Sequence, residues 1–171
     1  MFMAFWQVQQ LTREINNLEL QEMRIRTRLN HYQKYAGRLG GSTIMRTHDL
    51  SGISAELLPR ATMFAQYSDQ ASSMNAMQQL QVMKANGMVP WLNNPVMQGQ
   101  YEMSAFAQFK EQSLKALKQQ EIDAMNEIEA EIQLQLNAIE GQLKSKRAML
   151  ESCQSLLKEQ VQNFVPKFGL G

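Results

Sequence analysis

From Val8 onward, apolar residues return at alternating steps of three and four: Val8, Leu11, Ile15, Leu18, then Ile25, Leu29, Tyr32, Ala36 and Leu39. Glu22 is the one polar residue on the stripe. Such steps hold a stripe on one face of a helix, and their mean of about 3.5 residues marks that face as a coiled-coil seam. The interior holds no Gly or Pro before Gly37, and Gly37, Gly40, Gly41 and Ser42 supply a stop. A helix is predicted from about Phe5 to Tyr35 or Leu39. The second stripe lies in the C-terminal third: Ile122, Met125, Glu129, Ile132, Leu136, Ile139, Leu143, Lys146, Leu150, Cys153, Leu157, Gln160 and Phe164. Phe106, Phe109, Leu114 and Leu117 precede it in a different frame, which predicts a stutter near 118–122. Between Glu102 and Asn163 there is no Pro and only Gly141, so one long helix is expected, roughly 90 Å if continuous.

The middle is less regular. Residues 40–60 form a connector, in which Ser54 with Leu57 and Leu58 predicts one helical turn before Pro59. A second helix is expected over 61–86, with Phe64, Tyr67, Ala71, Met74 and Met77 as its apolar face and Leu80 nearby. Asn86-Gly87 is its stop. Met88 to Gly99, with Pro90, Pro95 and Trp91, reads as an ordered loop. The expected fold class is all-α: an antiparallel coiled-coil hairpin of long N- and C-terminal helices with a smaller helical and loop middle region. Its parts are a helix over 1–39, the connector, middle helix and loop over 40–101, a helix over 102–164 and an apolar tail over 165–171, all in one domain.

Charge proposes a register for that hairpin. Residues 1–60 carry eight Lys/Arg against five Asp/Glu, and residues 102–171 carry eight against ten. Arg24, Arg26 and Arg28 are expected near Glu121, Asp123, Glu127, Glu129 and Glu131. Placing Arg26 near residue 126 sets Trp6 near Lys146, and residues from Leu150 onward overhang. Exposed ion pairs contribute about 0–1 kcal/mol each, so the apolar seam must hold the pairing.

Composition narrows the classes of function. With 171 residues, 44% apolar and 19% charged, the chain has globular values, and its net charge of +1 implies no general pull toward nucleic acid or anionic lipid. Cys153 is the only cysteine, so no intrachain disulfide supports the fold. The apolar start Met1-Phe2-Met3-Ala4-Phe5-Trp6 is too short for a signal-peptide core, and no stretch is long enough to span a bilayer. A cytoplasmic location, or export without a cleaved signal, is the expectation.

No motif predicts a reaction. Gly37-Arg38-Leu39-Gly40-Gly41-Ser42-Thr43 lacks the lysine and preceding strand of a phosphate loop. His48, Asp49 and Ser51 are close in sequence, but a triad needs side chains that converge in space, and this trio reads as a polar loop. His31 has no metal-spaced companion. Glu127 and Glu131 share a helix face without the Glu-x-x-His motifs of a di-metal bundle. Arg24 and Arg28 have no interleaved aromatics for base stacking. Met74 and Met77 are too few for a Cu(I) site, and methionine serves as adaptable packing. Cys153 falls on the seam and reads as a small apolar residue. A non-enzymatic protein with no cofactor, metal or small-molecule substrate is expected.

Two terminal coils around a smaller middle resemble, in layout, the axial proteins of flagella and type III secretion systems: needle, filament and flagellin-type subunits. The resemblance covers roughly 5–39 and 102–164 as architecture, with no motif matched residue by residue. It implies a subunit that polymerises through paired terminal helices and is exported without a cleaved signal. The expected assembly interface is the apolar material at the ends: Phe2, Phe5, Trp6, Leu150, Leu157, Phe164, Phe168 and Leu170. The partner is then a second copy or a larger protein assembly, with no nucleic acid and no transmembrane segment. A coiled-coil adaptor, export chaperone or scaffold acting as a monomer or dimer has the same periodicity and is the alternative.

Overall fold

The computed structural model describes residues 2–41, 50 and 52–164. They form three α-helices, α1 (Phe2–Gly40), α2 (Leu58–Ala85) and α3 (Pro95–Phe164), and no strand. The fold is all-α, with long helices toward both ends of the chain. Two compact units divide it: a terminal unit of residues 1–30 with 130–171, and a central unit of residues 31–129.

In the terminal unit the predicted stripes are the buried ones. Ile15, Ile132, Leu136 and Leu143 are buried, with Leu11, Leu18, Ile25, Leu29, Ile139, Leu150 and Cys153 half-buried around them. Each fully buried side chain of this kind contributes about 1.5–3 kcal/mol. Exposed ion pairs flank the seam: Glu14 with Lys146 at 2.7 Å, Glu19 with Arg147 at 2.7 Å, and Arg26 with Glu140. Partners on α3 fall in number from 146 and 147 to 140 as those on α1 rise from 14 to 26, the order of oppositely directed segments.

The register differs from the expected one. Arg26 meets Glu140 rather than residue 126, a shift of fourteen positions or two heptads. A seven-residue repeat places seam on seam after any whole-heptad slide, so the stripe alone leaves several registers open. The expected alignment matched arginines to carboxylates and left α1's own acids unpartnered: Glu14 would have faced Ala138 and Glu19 Gln133. The observed one gives both a cation. Hydrogen bonding from Lys146 also holds the Glu14 carboxyl below its ordinary range. The overhang moves accordingly. Gln7, Gln10, Leu11 and Glu14 share a groove with Lys146, Met149, Ser152 and Cys153, so α3 still has α1 beside it at Cys153.

In the central unit α3 has both α1 and α2 beside it, and its covered face broadens. Glu102, Phe106, Phe109, Ser113, Leu117 and Glu121 are half-buried in one column, and Ala105, Lys110, Leu114, Lys118 and Ile122 in the next. The helix runs unbroken through the frame change expected at 118–122. The core is Tyr35 and Leu39 of α1, Leu57 and Ala61 at the start of α2, and Met125 of α3, with Tyr32, Ala36, Leu50, Ile53, Phe64, Ile122 and Ile128 packed against it. Glu121 ties three helices together. Its carboxylate accepts Arg60 Nε at 2.6 Å and Nη2 at 3.1 Å, and Tyr35 Oη at 3.3 Å.

Two middle-region expectations change. The apolar face assigned to α2 is divided: Phe64 packs against the core and Ala71 and Leu80 are half-buried, but Tyr67, Met74 and Met77 are exposed, and the fully buried positions are Ala61, Ser68, Ser72 and Ala76. Small side chains bring the helix axes close, and the buried serine hydroxyls are satisfied within α2, Ser72 Oγ donating to the Asp69 carbonyl at 3.0 Å. Helix α3 begins at Pro95, seven residues before the expected Glu102. Pro95 starts it rather than breaking a loop, because a first-turn proline sacrifices no helical hydrogen bond. Asn94 caps it, its Oδ1 accepting the Val96 N–H at 2.9 Å. Trp91, expected to help order the preceding loop, is almost wholly exposed. The Asn86-Gly87 stop is as predicted: Gly87 has φ of 66°, its N–H reaches the Lys84 carbonyl, and the Met88 N–H reaches that of Met83 at 3.0 Å.

Leu136→Asp is expected to destabilise the chain by several kcal/mol, since it buries a lone carboxylate, at a cost of about 3 kcal/mol or more. Gln133→Asp, on the exposed side, should stay within about 0.5 kcal/mol of the parent. Thermal melts followed by circular dichroism compare the two. Equal tolerance would mean that the seam is not buried.

Candidate functional site

The terminal unit carries the residues expected at an assembly interface. Phe5 and Trp6 leave 58% and 63% of their surface open. Leu150 and Leu157 are half-buried, Leu150 within the seam, so they are structural first. Phe2 and Phe164 are the end residues of α1 and α3. Phe168 and Leu170 lie outside the described residues. The exposed apolar set also contains members that the sequence reading passed over: Leu20, Met23, Leu134, Met149, Leu156 and Val161. Their signal was present. Leu20 and Leu134 sit half a turn from their seams by helical spacing, where a free-standing hairpin would carry polar residues.

His31 is half-buried on α1, and Glu127 and Glu131 are exposed on α3. Arg26 is engaged by Glu22 at 2.8 Å as well as by Glu140. No group of three or more His, Cys, Asp or Glu among the described residues could hold a metal ion. His48, Asp49 and Ser51 lie outside the described residues. No described helix is long and apolar enough to cross a membrane.

Each unit carries an open groove. The terminal groove, about 620 Å³, is crossed by the Glu14–Lys146 pair, which neutralises it. The central groove, about 690 Å³, runs along Leu39, Gly41, Leu114 and Ile122 with Lys110, Lys115 and Lys118 on its wall. Lys110 is held by Asp69 at 2.9 Å and Lys115 by Glu111 at 2.8 Å. Those lysines therefore supply little net field for an anionic ligand.

Glu121 with Arg60 and Tyr35 is the densest polar cluster described, and the sequence reading missed it by assigning Glu121 to the arginines of α1. Burial, and then the adjacent Glu121 carboxylate, push the Tyr35 phenol well above its ordinary range. The phenol donates to Glu121, and Arg60 closes the carboxylate from the other side, so the cluster works as a clamp between helices.

Tyr35→Phe removes a hydrogen bond to a charged acceptor and is expected to cost about 1.5–3 kcal/mol at neutral pH. The neutral phenol is favoured in the folded state. Its contribution is therefore whole below the unfolded phenol's pKa of about 10 and fades as pH rises beyond it. The difference in melting temperature between parent and Tyr35→Phe should narrow from about pH 9 to about pH 11. A constant difference would show that the phenol is not held neutral by the fold.

Comparison with protein-family models, curated proteins and solved structures finds no match for this chain.

Proposed function

We propose that the chain is a structural subunit that assembles with copies of itself through its terminal helices. One observation carries this reading: the terminal unit exposes large apolar side chains on the sides away from its own seam. Each helix of a two-helix unit covers one stripe of the other, and anything apolar elsewhere stays in water. Leu20 and Met23 on α1 and Leu134 on α3 are in that position, with Met149, Leu156 and Val161 exposed beside the seam and Phe5 and Trp6 near the start of α1. A lone hairpin gains nothing from such residues, whereas a neighbouring subunit would cover them. A contact between unlike faces, repeated head to tail, closes into a ring or extends as a filament. The resemblance in layout to flagellar and type III secretion axial subunits points the same way.

The test compares the full chain with chains lacking residues 1–6 or 164–171, by light scattering and negative-stain microscopy. The parent is expected to form filaments or large particles, and each deletion to lower particle mass several-fold while helical content persists. A parent and both deletions that are the same folded monomer would remove the self-assembly reading. Small rods of one or two chains would favour the adaptor, chaperone or scaffold.

A further inference from the structure

Helix α2 carries a second apolar face besides the one it turns to the core. Its covered side carries the small residues Ala61, Ser68, Ser72 and Ala76, with Phe64 packed against the core, while four other large apolar residues face water. Met63, Tyr67, Met74 and Met77 each leave between 58% and 71% of their surface open. At 100° per residue they fall on one face, opposite the small residues, with Gln70 and Gln81 between and beyond them.

The face is also free of charge. Between Arg60 and Lys84 the only ionisable acid or base on α2 is Asp69, and its carboxylate is engaged by Lys110 of α3. We infer that this face of α2 packs against the same face of a second copy of the chain, about a two-fold axis near Gln70. A self-facing contact puts like groups opposite one another, which excludes a charged patch and suits thioethers, a phenol ring and amides. An amide both donates and accepts, so Gln70 can pair with its own symmetry mate. Methionine adapts to whatever crossing angle results. The area is sufficient. The four apolar side chains offer roughly 500 Å² per copy, taking about 200 Å² for each when fully open. At full coverage two copies would bury roughly 1,000 Å² before the glutamines are counted, the threshold that a biological interface has to clear. This contact lies within the central unit and does not rest on assembly through the terminal helices.

The test uses the full chain carrying Cys153→Ser, so that no native thiol competes, with Gln70→Cys at the centre of the face. Mild oxidation is expected to give a covalent two-chain band on a non-reducing gel. The same thiol moved to exposed α3, as Gln108→Cys, should give no such band. Adding Tyr67→Glu and Met74→Glu to the Gln70→Cys chain should reduce the band to that control level with an unchanged circular dichroism melt, since both side chains are already exposed. A Gln70→Cys chain that cross-links no more than the control would overturn the inference and leave the face to another protein or to a membrane surface. So would a doubly acidic chain that cross-links as well as its parent. A band that persists in a chain lacking residues 1–6 separates this contact from the terminal one.

Discussion

The structure depends on how many sides of a helix have a neighbour. In the terminal unit, α1 and α3 each have one neighbour, and each buries a single stripe at steps of three and four. Ile15, Ile132, Leu136 and Leu143 sit at the centre of that seam. In the central unit, α3 has two neighbours, and its covered face widens to two columns from Glu102 to Ile122. Tyr35 shows the same effect on α1. It stands off the strict stripe through Tyr32 and Ala36, yet it is buried where a third helix completes its surroundings.

Polar groups act within that frame, and their worth follows their exposure. The flanking pairs of the terminal unit, such as Glu19 with Arg147, are open to solvent and screened, so each adds little to stability. Together they distinguish one register from another, since a wrong slide leaves α1's acids without cations. Glu121 is different. It is largely withdrawn from water, held by a two-pronged guanidinium and by a buried phenol. Removing one partner there leaves the others short of a hydrogen bond, which costs more than the bond itself contributes in water.

Helix α2 separates size from burial. Its small residues let it lie close to its neighbours, and close approach of backbones contributes dispersion contacts that larger side chains would prevent. Met63, Tyr67, Met74 and Met77 then remain outside, where the proposed contact would cover them. The proposed self-association of the terminal unit and the proposed α2 contact share this logic: apolar residues that the chain's own packing leaves uncovered.

The helices, both long seams and the glycine and asparagine stops are legible along the chain, because these depend on local spacing and backbone preference. Ile15 and Leu143 could be named as core before any coordinates, and Gly87 as a turn residue. Pro95 was readable too, as a first-turn proline behind Asn94, but its neighbours suggested a loop. Tertiary structure alone decided the register, the buried face of α2 and the clamp at Glu121. The physical reason is the same in each case. A heptad repeat is indifferent to whole-heptad slides, and a helix with small residues on one side and large apolar residues on the other has two candidate faces. A carboxylate in an acidic run has many arginines it could meet. Those choices are made by which elements lie against one another, and that information is not local.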